Sequence, residues 1–391
     1  MSKIIIKARK LVCDEETAIE NGFLYMEDGI IQGIAKENLW EDKDALLIDC
    51  SPYTVFPGLI DIHIHGAMGR DFVEGSQEVI DAVSYDVIKD GVTAYVASLT
   101  VVSHKKMLEI LQSLEQAISP SDGARYLGIH AEGPYISKEF KALMNELYIR
   151  EPNLIEFEEM LEKARGKLVQ MTYSPHNENS GLLLELAKKH QVKMMIGHSE
   201  ASCQQALNAI QNGASGFTHF YNAMSGHHHR DEGVVTAGFL AEGSYAEIIA
   251  DTVHVSPSVL KFTYDLMGSE KLILITDAMP GKSMADGTFY FSDLESIKKE
   301  GKAYVKATGR LAGSVIGLNE ALYNMREICD CDDLQLVEMA CINPAKLLGL
   351  KDCGSLAIGK KADIAVFDGD YRCFMTFVEG KIVYQSVNTT E

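Results

Sequence analysis

Residues 57–66 read PGLIDIHIHG, an apolar run that ends in two histidines spaced two residues apart. An apolar run bounded by proline and glycine is typical of a buried strand. Side chains two residues apart on a strand lie on the same face, so His63 and His65 can present both imidazoles to one ion. Because the chain contains twelve histidines, the pair alone is a weak indication, and its meaning depends on the rest of the chain.

Seven more apolar runs follow the first one, and amphipathic helical stretches separate them. Two such stretches, residues 76–90 and 104–118, repeat apolar residues at three- and four-residue spacing. Eight strand and helix units within about 220 residues predict an α/β fold, a (β/α)8 TIM barrel. A doubly wound open sheet is the alternative, although no GxGxxG follows the first run. The predicted strands are TVFPGLID (54–61), TAYVASL (93–99), RYLGIHAE (125–132), KLVQMTY (167–173), VKMMIGHS (192–199), SGFTHFY (215–221), YAEIIAD (245–251) and KLILITD (271–277).

Both ends of the chain read instead as short strands joined by tight turns. Asp28-Gly29 separates two apolar runs near the start, and Asp-Gly pairs favour type I′ turns. The tail, with GSLAIGKKADIAVFDGD from residue 354, has the same character. Because chain ends usually lie close together, we expect one small β-sandwich domain built from both ends. The expected division is residues 1–54 and 351–391 for that domain and residues 55–350 for the barrel.

Composition narrows the range of partners. The formal net charge of −20 argues against a nucleic-acid partner, because proteins that bind nucleic acid concentrate Lys and Arg on one face. No stretch reaches the roughly 18 apolar residues of a membrane helix. The apolar run before Lys7 is too short for a signal peptide, so we expect a cytoplasmic protein without a membrane partner. The eight cysteines include no paired CxxC motifs, and we expect buried free thiols.

Polar residues fall at the carboxyl ends of the predicted strands, where barrel enzymes place their chemistry. Glu132 is costly to bury there without a cation, because an unpaired carboxylate loses several kcal/mol of solvation. Asp277 follows the apolar run LILIT and poses the same problem. Its alternative role, as the cap of a following helix, is disfavoured because Pro280 and Gly281 come next. The residues at predicted strand ends are His63, His65, Glu132, His198, His219, His254 and Asp277.

Nine short motifs carry a resemblance to a known family. In chain order they are PGLIDIHIHG, HAEGPYIS, GHSEAS, THFYNAM, HHHRDEGVV, ITDAM, GRLAGS, NPAKLLG and GSLAIGKKADIAVFD. Together they resemble the amidohydrolase superfamily and, within it, the N-acetylglucosamine-6-phosphate deacetylase family. The resemblance covers nearly the whole chain, and HAEGP, THFYNAM and HHHR are particular to the deacetylases. It implies metal-dependent hydrolysis of the acetamide of N-acetyl-D-glucosamine 6-phosphate to glucosamine 6-phosphate and acetate, in amino-sugar catabolism.

The resemblance also implies a role for each candidate residue. Glu132, His198 and His219 bind the principal divalent metal, zinc or iron. A second ion can be held by His63, His65, Glu132 and Asp277. Asp277 is in addition the catalytic acid and base. The implied substrate-binding residues are Asn222, Ala223, Arg230, His254, Leu311 and Met144. The arginine reaches the phosphate of the neighbouring subunit's substrate, which implies a homodimer.

One stretch departs from the family pattern. After HAEGPYIS the family has a His or Gln that orients or polarises the acetyl carbonyl, whereas this chain has Met144. A thioether cannot donate a hydrogen bond. Either another residue replaces the lost donor, or the pocket accepts a different acyl group or sugar. One alternative is therefore a deacetylase of another N-acyl amino-sugar phosphate, such as N-acetylgalactosamine 6-phosphate. A hypothesis from a different class is a non-catalytic sugar-phosphate sensor, although such proteins usually lack metal ligands or the catalytic Asp and none is missing here.

Overall fold

Two eight-stranded sheets dominate the computed structural model, which describes residues 3–40 and 44–386. The strands are β1 Lys3–Val12, β2 Ala18–Glu20, β3 Phe23–Glu27, β4 Ile30–Ala35, β5 Leu46–Pro57, β6 Leu59–Ile64, β7 Gly66–Ala67, β8 Arg70–Asp71, β9 Val92–Leu99, β10 Arg125–Glu132, β11 Leu168–Tyr173, β12 Lys193–Ile196, β13 Gly216–Phe217, β14 Tyr245–Ile249, β15 Leu272–Ile275, β16 Gly287–Phe291, β17 Leu294–Lys299, β18 Lys302–Val305, β19 Ile364–Phe367, β20 Cys373–Val378 and β21 Lys381–Gln385. The α-helices are α1 Gln77–Val87, α2 His104–Glu115, α3 Leu154–Ala164, α4 Ser180–Lys189, α5 Cys203–Gln211, α6 Val234–Leu240, α7 Pro257–Met267, α8 Leu318–Cys329, α9 Asp333–Val337 and α10 Asn343–Leu348.

Eight parallel strands form the barrel, in the order β6, β9, β10, β11, β12, β13, β14 and β15. The first and last strands are joined just past their ends. The amide of Asp277 donates to the carbonyl of His63, and the amide of His65 donates to the carbonyl of Ala278, both at 2.8 Å. Most apolar side chains of the strands and the surrounding helices pack into one large cluster, and a second cluster contains other strand residues such as Ile62, Val96 and Ile275. The predicted (β/α)8 barrel is therefore confirmed, and the open-sheet alternative is wrong.

The predicted first strand, residues 54–61, is divided in the structure. Its first part ends β5, which belongs to the other large sheet, and its second part begins β6. The break is at Gly58, where a Cβ atom would lie 2.1 Å from the hydroxyl oxygen of Thr93. Because β6 continues to Ile64, His63 lies within the strand and His65 follows it directly.

The second large sheet draws strands from both ends of the chain, in the order β21, β20, β19, β5, β1, β3 and β4, with β2 paired to β1. One set of its apolar side chains, which includes Ile6 and Phe377, forms a separate core. Others join the barrel cluster, and there the rings of Phe56 and Phe367 pack edge to face with centroids 5.5 Å apart. This sheet therefore packs directly on the barrel. The division into domains at residues 54 and 350 stays a prediction.

A three-stranded antiparallel sheet, β16 to β18, follows the last barrel strand and was not expected from the sequence. Its second hairpin turns at Glu300-Gly301, where both residues have positive φ, at 51° and 72°. Two positive φ values are the geometry of a type I′ turn. Phe291 of this sheet packs edge to face on His65, with ring centroids 5.2 Å apart. The sheet therefore forms one wall of the barrel mouth.

The sequence predicted no membrane helix and only buried, free cysteines. Among the described residues, no helix combines the length and apolar character that crossing a membrane requires. All eight cysteines are free and buried. Cys329 ends α8, and Cys331 lies in the turn between α8 and α9.

Candidate metal centre and substrate pocket

The predicted polar residues meet at the carboxyl-terminal mouth of the barrel. Three of them occupy equivalent positions, because His198, His219 and Asp277 each lie two residues after the end of a barrel strand. Each has a left-handed backbone, with φ of 46°, 32° and 48° respectively. Such a conformation is uncommon for residues other than glycine, and it clusters at functional sites. The chain turns sharply at these positions and directs the side chains across the mouth.

Glu132, His198 and His219 form the first group of side chains that could hold a metal ion. The Glu132 Oε1 atom lies 3.1 Å from His198 Nε2 and 2.8 Å from His219 Nε2, and the two nitrogens are 3.0 Å apart. All three side chains are buried. His198 Nδ1 lies 2.7 Å from the carbonyl oxygen of Phe140, to which it donates. This bond leaves Nε2 of His198 as the ring's lone-pair atom, which is the usual arrangement behind a metal ligand.

His63, His65 and Asp277 form the second group. The two Nε2 atoms are 3.3 Å apart, and Asp277 Oδ1 lies 3.5 Å from the first and 3.3 Å from the second. Glu132 faces this group as well, with Oε1 3.6 Å from His63 Nε2 and Oε2 3.2 Å from His65 Nε2. The structure therefore brings all six predicted ligands together, with the Glu132 carboxylate between the two groups.

Glu247 forms hydrogen bonds with one histidine of each group, His63 and His219, and it was not predicted from the sequence. This fully buried residue on β14 accepts from His63 Nδ1 at 3.0 Å and from the backbone amide of His219 at 3.3 Å. Gln170 Nε2 donates to its other oxygen at 2.7 Å. A carboxylate behind a ligand histidine sets the tautomer and orients the ring. The available signal was an acidic residue inside the apolar run YAEIIAD.

The electrostatics of the site favour positive charge. Burial by itself lowers the pKa of His63, but three facing carboxylates outweigh it and raise that pKa to about 9. Burial also lowers the pKa of His65, yet Asp277 and Glu132 raise it to about 10. Burial raises the pKa of Glu132, but the histidines that face it, His198 foremost, hold that pKa well below its usual range. The carboxylates are therefore ionised and attract cations.

The donor set fits a divalent metal. Within the described ranges, no Lys or Arg side chain pairs with Glu132 or Asp277; their ion-pair partners are all histidines. Buried carboxylates need a cation or strong hydrogen bonds to offset lost solvation. Imidazole nitrogens and carboxylate oxygens are ligands that zinc and iron accept. The two groups can therefore hold one or two such ions.

A pocket opens beside these side chains. Besides residues of both groups, its walls contain Thr100, Ala142, Leu143, Met144, Asn222, Ala223, His254, Met279, Phe291, Leu311, Ala312 and Gly313. Five of the six predicted substrate-binding residues are therefore present. The sixth, Arg230, is exposed on the loop between β13 and α6, where its Nη1 atom lies 2.7 Å from His229 Nε2. Arg230 is not among the residues that line this pocket. The roles of all six stay predictions.

His254 lies in the pocket wall between two hydrogen-bond acceptors. Its Nδ1 atom lies 2.6 Å from Asp251 Oδ2, and its Nε2 atom lies 2.7 Å from the carbonyl oxygen of Ala312. Both neighbours are acceptors, so the ring satisfies them when both of its nitrogens carry protons. Burial lowers the pKa of His254, but Asp251 outweighs burial, with a further contribution from Asp277, and that pKa is raised. The hydrogen-bond geometry and the raised pKa both favour the protonated form of this ring.

Comparison with known proteins agrees with this geometry. The amidohydrolase family model matches residues 54–389. The N-acetylglucosamine-6-phosphate deacetylase of Bacillus subtilis (strain 168) is 31% identical over 388 residues, which cover 98% of each chain. The N-acetylgalactosamine-6-phosphate deacetylase of Escherichia coli O157:H7 is 30% identical over 385 residues, 97% of this chain and 98% of the other.

A solved structure shows the same fold. It is a mutant N-acetyl-D-glucosamine-6-phosphate deacetylase from Mycobacterium smegmatis in complex with N-acetyl-D-glucosamine-6-phosphate, with a TM-score of 0.92 and 26% identity. The match covers 98% of this chain and 100% of that one. The resemblance inferred from the nine motifs is thus confirmed along nearly the whole chain. The chain belongs to the amidohydrolase family, and it is a hydrolytic enzyme that acts on an amide bond.

Proposed function

We propose that the protein removes the acetyl group from N-acetyl-D-glucosamine 6-phosphate and releases glucosamine 6-phosphate and acetate, a step of amino-sugar catabolism. The observation that carries the proposal is the pair of ligand groups around Glu132, directly beside a pocket that Asp277 also lines. The relatives that match nearly the full chain include deacetylases of this substrate. The galactosamine epimer is the second candidate, because a deacetylase of that sugar phosphate is 30% identical.

Two sets of residues would hold the metal. Glu132, His198 and His219 would hold the principal ion, zinc or iron. A second ion would be held by His63, His65, Glu132 and Asp277. When bound, a divalent metal lowers the pKa of water from 15.7 to about 7 and polarises a carbonyl oxygen. Glu247 keeps His63 oriented for this purpose through the hydrogen bond to Nδ1.

Asp277 moves the proton during hydrolysis. Burial raises the pKa of Asp277, but His63 and His65 outweigh burial and lower it, so the side chain is a carboxylate that can accept a proton. The attacking water gives its proton to an Asp277 oxygen as its own oxygen bonds to the acyl carbon. The same proton then passes to the amide nitrogen while the carbon–nitrogen bond breaks. The amino sugar thus leaves as a neutral amine.

The phosphate needs local cations, because the chain has a formal net charge of −20. We assign phosphate binding to His254, to backbone amides near Asn222 and Ala223, and to Arg230 of the neighbouring subunit in a homodimer. The arginine fork forms paired, charge-assisted bonds with phosphate oxygens. The exposed position of Arg230 outside its own chain's pocket lining is compatible with that assignment.

Acetate release from three sugars tests the proposed function. We expect the highest kcat/KM with N-acetyl-D-glucosamine 6-phosphate. The unphosphorylated sugar should react at least about 10²-fold less efficiently, because it lacks charge-assisted bonds that contribute about 1.5–3 kcal/mol each. Faster release from N-acetyl-D-galactosamine 6-phosphate would favour the epimer instead. Sugar-phosphate binding without any acetate release by metal-loaded protein would favour the sensor.

Arg230→Ala is expected to raise KM for the phosphorylated sugar by roughly 10–100-fold, because charge-assisted bonds to the phosphate are lost. The effect on the unphosphorylated sugar should be small. Steady-state acetate release measures both. Arg372→Ala is the matched control, because the Arg372 side chain is 77% exposed directly before β20, in the other large sheet's part of the chain. Equal losses on the two sugars would remove Arg230 from phosphate binding.

Mixed dimers test whether Arg230 serves the neighbouring subunit. Co-expressed Arg230→Ala and Asp277→Asn chains form mixed dimers in which one site combines an intact Asp277 with the partner's intact arginine. Random pairing leaves about one quarter of the wild-type number of working sites. We expect activity near that level, although each variant alone is impaired. Activity at the average of the separate variants would place Arg230 in its own chain's site.

A further inference from the structure

We infer that the Thr100 hydroxyl donates a hydrogen bond to the acyl oxygen of the substrate and stabilises the negative charge that develops on it. This role rests on the proposed deacetylation and adds a catalytic residue to it. Amide hydrolysis requires such donors, because the carbonyl oxygen becomes an oxyanion when water adds to the acyl carbon.

The fold places Thr100 at the level of the metal-binding side chains. It follows β9 directly, two residues after Ser98, whose Oγ atom lies 2.9 Å from Nδ1 of the buried His130. Residues two apart on a strand share a face, so Thr100 lies one layer above Ser98, towards the mouth. The strands pair Ser98 with His130 and Leu99 with Ala131. One step further along both strands, Thr100 lies beside Glu132.

The Thr100 hydroxyl is also available to donate a hydrogen bond to a substrate. The residue is 2% exposed and lines both the catalytic pocket and an adjoining cavity. No hydrogen bond joins its side chain to any residue in ranges 3–40 and 44–386. The other polar groups of the pocket have other partners, because His254 is assigned to the phosphate and the Asn222 amide nitrogen donates to the carbonyls of His219 and Phe220.

The apolar surroundings of Thr100 strengthen the stabilisation that its hydroxyl gives to an oxyanion. Both cavities that it lines share the side chains Leu143, Met144 and Phe291, all of them apolar. The Met144 thioether cannot donate a hydrogen bond. Because apolar walls lower the local dielectric, a neutral donor among them stabilises an oxyanion more strongly than the same donor in water. Thr100 therefore supplies a donor on a wall where Met144 does not.

Two substitutions at one position test the role. Thr100→Val keeps the shape and removes the donor, and we expect kcat to fall about 10²-fold, with KM changed by less than about threefold. Thr100→Ser keeps the hydroxyl and should stay within about fivefold of wild type. Metal content and melting temperature, measured on both variants, should match the wild type. A Thr100→Val enzyme with kcat within about threefold of wild type would overturn the inference.

A substrate with an activated carbonyl separates catalysis from packing. The N-trifluoroacetyl analogue has an electron-poor carbonyl that needs less help, so the loss caused by Thr100→Val should shrink to below about tenfold. Equal losses on both substrates would indicate a packing role and overturn the inference. Wild-type enzyme that releases no acetate from any N-acetyl amino-sugar phosphate would overturn the proposed function itself. Normal wild-type turnover with an unaffected Thr100→Val enzyme would overturn only the role of Thr100.

Discussion

Asp277→Asn is expected to lower kcat by roughly 10²–10⁴-fold while divalent metal stays bound. The carboxamide keeps an oxygen facing His63 and His65, but it cannot take a proton from water or return one to the leaving nitrogen. Its neutral oxygen remains a metal ligand of the same size. Acetate release at saturating substrate and metal analysis of the same preparation measure the two effects separately.

A matched exchange controls for the loss of one carboxylate. Asp370→Asn changes an Asp whose side chain is 57% exposed in a turn of the tail, and we expect wild-type turnover from it. A near-normal kcat in Asp277→Asn would show that another group transfers the proton. Loss of metal together with activity would show that Asp277 acts chiefly as a ligand.

Glu132→Gln is expected to abolish both metal binding and turnover. Its carboxylate lies within 2.8–3.6 Å of imidazole nitrogens from both groups, so one neutral amide weakens both at once. Loss of residues that merely support a ligand already lowers metal affinity 10–100-fold, so we expect a decrease of at least about 10²-fold here. Metal competition with a chelator measures the affinity, and acetate release measures the consequence.

Chelation of the wild-type enzyme complements this variant. Removal of metal should abolish acetate release, and return of zinc or iron separately should show which ion restores it. The number of ions bound at full activity distinguishes one metal from two. Glu159→Gln is the control, because its side chain is 50% exposed and pairs with His104 on the helical surface. A Glu132→Gln enzyme with wild-type metal content and rate would contradict the assigned centre.

The meeting of the six candidate ligands was predictable because their positions relative to the strands are regular. Parallel strands of a closed barrel bring their carboxyl ends to one mouth, so residues at those ends meet even when they are far apart in sequence. His198 and His219 show this, since each follows its strand end by two residues. The first strand was harder to predict, because apolar residues continue across Gly58 from the end of β5 into β6.

Other parts of the site could not be predicted from the hydrophobic pattern of the sequence. Glu247 and Thr100 lie in apolar runs, and period-two alternation does not say which histidine or pocket a buried polar side chain faces. The β16–β18 sheet was also not predicted, because its alternating residues lie outside the repeat of strands and helices that predicted the barrel. Its contribution to the mouth, the contact of Phe291 with His65, depends on how the sheet packs.

The sequence by itself determined the barrel and the PGLIDIHIHG strand with its two histidines. Hydrophobic periodicity and strand-end chemistry are local properties that a linear chain records. Only the tertiary structure decided that Glu132 lies between the two histidine groups, that Glu247 supports His63, and that Thr100 lies beside an apolar wall. Those relations join residues on different strands, and their distances depend on the register and closure of the barrel.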